Sequence, residues 1–300
     1  MKNVIHCRNT ISTWSSGTGG AGIIGALVYA VLTEPHFANL SPKVTLLVML
    51  VVPVVFAATY WFLLVVPESI HQARLLHPRT WIVPETSLTV SVSKSDDSGF
   101  KTSIQNGEGY ALTKSGMVRQ RKMSFKEMLL TTASLLRFMI PLMLVYFFEY
   151  LINQGIVQLV FYSCDNGWHL TRASQYRWYQ LGVFISRSSI NIVELPYWAL
   201  VLLPILQFVN VVIFFFESLY FYIPHIWILF VVILFEGLFG GASYVNSFSH
   251  IHNFAKPDVR EFAMSISSLG DAFGIVAAGF MSIPLHNYVC GTSLPKHLTE

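Results

Sequence analysis

The chain has 300 residues, of which 53% are hydrophobic, 14% aromatic and only 12% charged, and its mean hydropathy is +0.54. Soluble domains carry about 25% charged residues, so half that share, arranged around long apolar runs, places the chain in the membrane class. The formal net charge of +3, with no basic stripe interleaved with aromatics, argues against nucleic acid as a partner.

Seven spanning segments are predicted, giving an all-α, polytopic membrane protein. Met1 to Thr10 has no apolar core, so no cleavable signal peptide is expected and insertion relies on the first span. That span runs from about Ser16 to Leu32 and is Gly-rich. The second, Val44 to Val66, is the cleanest. The third runs from Leu129 to Tyr150, extending toward Tyr162. The fourth, Tyr176 to Val193, is short and polar. The fifth covers Tyr197 to Phe216, the sixth Ile226 to Phe248 and the seventh Phe262 to Val289. Pro53, Pro141, Pro204 and Pro284 fall inside segments, where membrane helices tolerate them with kinks.

Residues 67–127 differ in kind. This stretch is rich in Ser, Thr, Lys, Asp and Gly, lacks periodicity and reads as a disordered linker. It holds nine of the 19 basic residues, and Arg119, Arg121, Lys122 and Lys126 abut the third span. Positive loops stay in the cytosol, so the linker is expected there. Threading outward puts Thr33 to Lys43 on the far side, with the sequon Asn39-Leu40-Ser41 as a glycosylation site; Arg172 and Arg177 fall against this orientation. The expected organisation is a first helical region (1–66), the linker (67–127), a C-terminal helical half (128–290) and a tail (291–300).

Lone charges in spans are the main functional signal, because an ionised group in hydrocarbon costs a few kcal/mol or more and therefore faces protein or a watery path. Glu149 and Asn153 stand four residues apart and share a helix face. They line a cavity, where Glu149 binds a proton or cation, or they form an interhelical hydrogen-bond patch. Arg187, in Ser186-Arg187-Ser188-Ser189, suits an anionic or phosphate group, or snorkels to the interface. Glu236, with Asn246 about three turns on, and Asp271 complete the candidates for a substrate or ion pathway.

Gly17-Thr18-Gly19-Gly20-Ala21-Gly22 spells G-x-G-x-x-G but lacks the strand and the distant acidic residue of a nucleotide fold. Its small residues are expected to let helices pack closely: Gly17, Gly19, Gly22 and Gly25, with Gly17, Ala21 and Gly25 at four-residue spacing, and Gly240 and Gly241 in the sixth span. His250 and His252 form a His-x-His without a third ligand, and Cys7, Cys164 and Cys290 lie far apart, so no metal or disulfide framework is expected. No nucleophile–base constellation occurs, so neither an enzyme nor a cofactor is expected. Leu75-Leu76 is a dileucine without its acidic residue, and the C-terminus has no prenylation box.

Several of these stretches carry a wider pattern: Trp14 to Gly22, Tyr146 to Gly155, Gln175 to Gln180, Gly182-Val183-Phe184 with Ser186 to Ser189, Glu236 to Asn246, Arg260 to Met264 and Pro284-Leu285-His286. Together they resemble the battenin family, the lysosomal membrane proteins of the juvenile Batten disease type. The resemblance implies a fold similar to the major facilitator superfamily, with residues 1–66 as the last two helices of a first half. It implies late-endosomal or lysosomal location and a transporter-type role in lysosomal pH, basic amino-acid balance and glycerophosphodiester clearance, for a small-molecule substrate not identified by sequence. Family members begin with about four more spanning helices. They also show a longer run where Leu181 alone separates Gln180 from Gly182, which is expected to shift Arg187 along its helix. The alternatives are a membrane adaptor whose 67–127 loop recruits trafficking proteins, or an inactive shortened form. In all of them the surrounding partner is membrane lipid.

Overall fold

The computed structural model describes residues 2–33, 37–63, 102–105, 108–111, 123–160 and 172–292. Most of the linker, Leu75-Leu76, Cys164 and the tail beyond Thr292 lie outside the described residues.

Helix α1 (Lys2–Thr33) is followed by α2 (Pro42–Met49) and α3 (Val51–Ala58), which a π-helical turn at Thr59–Leu63 continues. Strands β1 (Thr102–Gln105) and β2 (Glu108–Ala111) pair antiparallel. Helix α4 (Phe125–Leu151) runs on through a π turn at Ile152–Ile156 and a 3-10 turn at Val157–Leu159. Then come α5 (Arg172–Ser188), α6 (Tyr197–Tyr220), α7 (Ile226–Phe254) and α8 (Arg260–Cys290).

Among the described residues six segments are long and apolar enough to cross a membrane: Ile11–Thr33, Pro42–Leu63, Phe125–Leu159, Tyr197–Tyr220, Ile226–Phe254 and Arg260–Cys290. The fourth predicted segment became α5, which has 17 residues. That is roughly 26 Å of helix against roughly 30 Å of hydrocarbon. It packs between α1 and α7, so its polar side chains are not required to meet lipid.

Local sequence sets the helix ends. Ser41 caps α2 by accepting from the Val44 N–H at 3.4 Å, with Pro42 in the first turn where its missing donor is harmless. Ser124 and Glu127 begin α4 as half of a capping box, the Ser124 N–H donating to Glu127 Oε2 at 2.9 Å. Helix α6 stops where Phe221 turns left-handed at φ 50°, and the buried Glu217 carboxylate accepts from the Ile223 N–H at 2.9 Å. The hairpin departs from the disordered linker expected at 67–127. Thr102, Ile104 and Tyr110 favour strand, and the intervening sequence Asn106-Gly107 is the pair that two-residue hairpins prefer.

Two compact units result. One comprises Ser41–Leu130 and Ala255–Phe262; the other comprises Met1–Leu40, Thr131–Phe254 and Ala263–Glu300. The division differs from the expected 1–66 and 128–290, because α1 belongs with the C-terminal helices. Ser12, Ser15 and Gly19 form a buried stripe on α1, spaced three and four residues apart. A Cβ on Gly19 would come within 3.2 Å of the Phe184 Cα of α5.

Within this larger unit, helices meet backbone to backbone. A Cβ on Gly182 would strike the Leu234 carbonyl oxygen, and one on Gly237 would strike that of Tyr179, so α5 and α7 interlock through one glycine each. Helix α8 buries a run of small residues: Ala263, Ser267, Gly270, Gly274, Ala278 and Ser282. Gly270 and Gly274 lie against the α4 backbone at Met139 and Met143. The apolar core beside these contacts includes Ile152, Ile156, Val183, Phe214, Leu229 and Ile233.

Candidate functional site

Tyr146, Glu149 and Asn153 recur at intervals of three and four, which places them on one face of α4 and its π turn. Glu149 is buried. Its Oε1 accepts a hydrogen bond from the Tyr179 hydroxyl of α5, and its Oε2 has no partner. The carboxylate rests where a side chain on Gly240 of α7 would have to lie. One turn earlier on α7, Glu236 is fully buried. Its Oε1 accepts from Asn153 Nδ2 at 2.8 Å, while its Oε2 has no partner. The same Nδ2 donates to the Glu149 main-chain carbonyl at 3.1 Å, so Asn153 ties the second carboxylate to the helix that carries the first. The partners of these carboxylates are a phenol and an amide, not cations.

Arg187 closes the last turn of α5. Its Nη1 donates to Thr18 Oγ1 of α1 and its Nη2 to the Tyr146 hydroxyl of α4, each at 2.9 Å. The guanidinium lies 4.3 Å from the centre of the Tyr244 ring of α7, a cation–π contact. Its Nε has no partner. Asp271 of α8 is half-buried, within electrostatic range of Arg187 and Tyr244, and its Oδ1 has no partner. Glu149, Asn153, Arg187, Glu236 and Asp271 therefore gather in one interior, to which α1, α4, α5, α7 and α8 contribute.

Asn246 does something else. Its Oδ1 accepts from the Leu195 N–H at 2.8 Å and its Nδ2 donates to the Ala242 carbonyl at 2.9 Å, so it holds the turn before α6. His250 joins it by donating Nε2–H to the Leu195 carbonyl at 2.8 Å, and its ring stacks on Phe138. Among the described residues no group of three or more His, Cys, Asp or Glu could hold a metal.

The packing glycines divide. Gly19 and Gly22 meet α5 at Phe184 and Gln180, Gly240 makes room for Glu149, and Gly241 abuts Ser186 and Val183. Gly17 and Gly25 face open space, which corrects the four-residue stripe expected through Ala21. The buried face of α1 instead runs through Ser12, Ser15 and Gly19. Asn39 is exposed, with a left-handed φ of 49°.

Sequence reasoning missed Thr18, Tyr146, Tyr179 and Tyr244 as partners of the charged groups. For Tyr146 the signal was present, since it shares the Glu149 face. For Tyr179 and Tyr244 it was not, because their roles depend on which helices neighbour α4.

Fold and interior define a multi-pass helical membrane protein with ionisable groups buried among its helices. The chain belongs to the CLN3 protein family, whose model matches residues 3–292. It is 38% identical to battenin of Canis lupus familiaris over 291 residues, covering 95% of this chain and 60% of the relative. It is 33% identical over 294 residues to Protein BTN1 of Eremothecium gossypii, covering 93% of this chain and 67% of that protein. For Protein BTN1 of Candida albicans the identity is 35% over 294 residues, with 94% and 67% covered. The chain thus spans about 60% of the length of the dog relative. No solved structure matches it significantly.

Proposed function

We propose that this chain is a transporter-type protein of the lysosomal or late-endosomal membrane, acting in glycerophosphodiester clearance, basic amino-acid balance and lysosomal pH, and not an enzyme. The observation that carries the reading is the convergence of Arg187, Glu149, Glu236 and Asp271, each with a buried polar atom lacking a partner. Buried polar atoms are nearly always satisfied, so four open valences in one interior mark a place where a ligand completes the set. Arg187 offers planar donors to an anionic head group, and the carboxylates serve cations or hydroxyls. The site would lie among helices, as solute sites of transporters do.

The test is clearance in cells lacking their own family member. Expression of the chain should lower the glycerophosphodiesters retained in isolated lysosomes, and Arg187→Ala should abolish that effect. Full clearance by a correctly localised Arg187→Ala protein would overturn the assignment. A second reading, recruitment of trafficking proteins by residues 67–127, draws on the hairpin at 102–111. Pull-downs with the isolated loop test it, and recovery of no partner would end it.

A further inference from the structure

The interior does not balance in charge. Among the described residues, three carboxylates, Glu149, Glu236 and Asp271, share it with one guanidinium, Arg187. All four ionised would leave a net charge of −2, from three negative and one positive. Tyr146, Tyr179 and Tyr244 face the same space as neutral phenols, and α1 contributes the uncharged Thr18. Of these three carboxylates Glu149 and Glu236 are the most deeply buried, at 2% and 0% exposure. They lie within electrostatic range of each other, and the Glu149 carboxylate fits against Gly240, one turn along α7 from Glu236. Two like charges this close and this far from water are not both retained; one is neutralised by a cation. The unpartnered Oε2 of each carboxylate is the position open to such a cation. The donor set favours the smallest one. Metal ions of the hard class take six or more oxygens, whereas two carboxylate oxygens suffice for a proton.

We propose that Glu149 and Glu236 form a proton-binding site, and that its proton accompanies an anionic solute held at Arg187. The second clause rests on the transport reading above. An anion beside Arg187 removes the one positive charge that the described residues offer these carboxylates, so the anion and the proton bind together. Both then move in the same direction, from the acidic side of the membrane to the neutral one. Asn153 is the positioning residue, since its amide fixes Glu236 against α4.

The experiment is infrared difference spectroscopy of the purified chain in lipid nanodiscs, with pH steps and no solute. A protonated-carboxyl band is expected in the native chain under mildly acid conditions, and its loss in the Glu149→Gln/Glu236→Gln double variant. No such band, a band that survives in a folded double variant, or a band that sodium abolishes at constant pH would each overturn the proton assignment. If the double variant does not fold, carbodiimide labelling of the native chain decides, because the reagent modifies protonated buried carboxyls. Mass spectrometry should find the adduct on Glu149 or Glu236 at acid pH, and adducts on neither would overturn the site. Neither readout requires a solute to move. A positive band with failed clearance removes the transport reading and leaves the proton site standing; clearance without a band does the reverse.

Discussion

Among the polar side chains that helix α7 buries, Glu236 and Asn246 lie about three turns apart in contrasting surroundings. Glu236 has one oxygen bonded to Asn153 and one with no partner. Asn246 has both ends of its amide engaged by main chain, at Leu195 and Ala242. Burial alone does not separate them, since both are at most 1% exposed. Satisfaction does. A polar group whose bonds are all made within the fold supports structure. One left with an open valence among neighbouring charges is, under the function proposed above, the place that a ligand completes.

Substitutions should pull these two roles apart. The largest effect is expected at the contact that positions both. Gly237→Val drives a side chain into the Tyr179 carbonyl, and folded protein should be lost, as read by fluorescence-detected size exclusion; a monodisperse variant would show that α5 and α7 can separate. Next comes Asn246→Ala, which leaves the Leu195 N–H unpaired and should cost about 1–3 kcal/mol of stability. A lower melting temperature in detergent should appear, and clearance per folded molecule should be unchanged. Glu236→Gln should invert that pattern: clearance falls at least tenfold while the melting temperature holds or rises, because a buried carboxylate becomes a neutral amide. Equal loss of stability in the Asn246 and Glu236 variants would erase the distinction. The smallest effect belongs to Gly17→Ala and Gly25→Ala, which face open space and should shift stability by under about 0.5 kcal/mol.

The same contrast explains how far the sequence could be read. Of the seven predicted spans, six are helices long and apolar enough to cross a membrane, because lipid demands long apolar helices whatever their neighbours. The lone charges at Glu149, Arg187, Glu236 and Asp271 stand out for the same reason. Asn246 stands out equally, and nothing in its local sequence tells that its Oδ1 accepts from the backbone of a turn 51 residues away. Helix-packing faces are harder still. Four-residue spacing pointed to Gly17, Ala21 and Gly25, whereas the buried face of α1 alternates three and four residues through Ser12, Ser15 and Gly19. Small residues on either face satisfy a small-xxx-small rule, and only the neighbouring helix chooses between them. The run Ala263, Ser267, Gly270, Gly274, Ala278 and Ser282, spaced three and four residues apart, carries the spacing of a buried stripe of α8 in the sequence itself.

That stripe bears on how the protein moves. Interlocked side chains resist sliding, because each must leave its rotamer before the next slot is reached. Helix α8 brings Gly270 and Gly274 directly against the α4 backbone, with no side chain between them at those two points. Displacement along this seam would be a shear, a motion that packed helices sustain in small steps. Asp271 rides on α8 and Glu149 on α4, so a slip of the seam would change the spacing of the carboxylates without unfolding a turn.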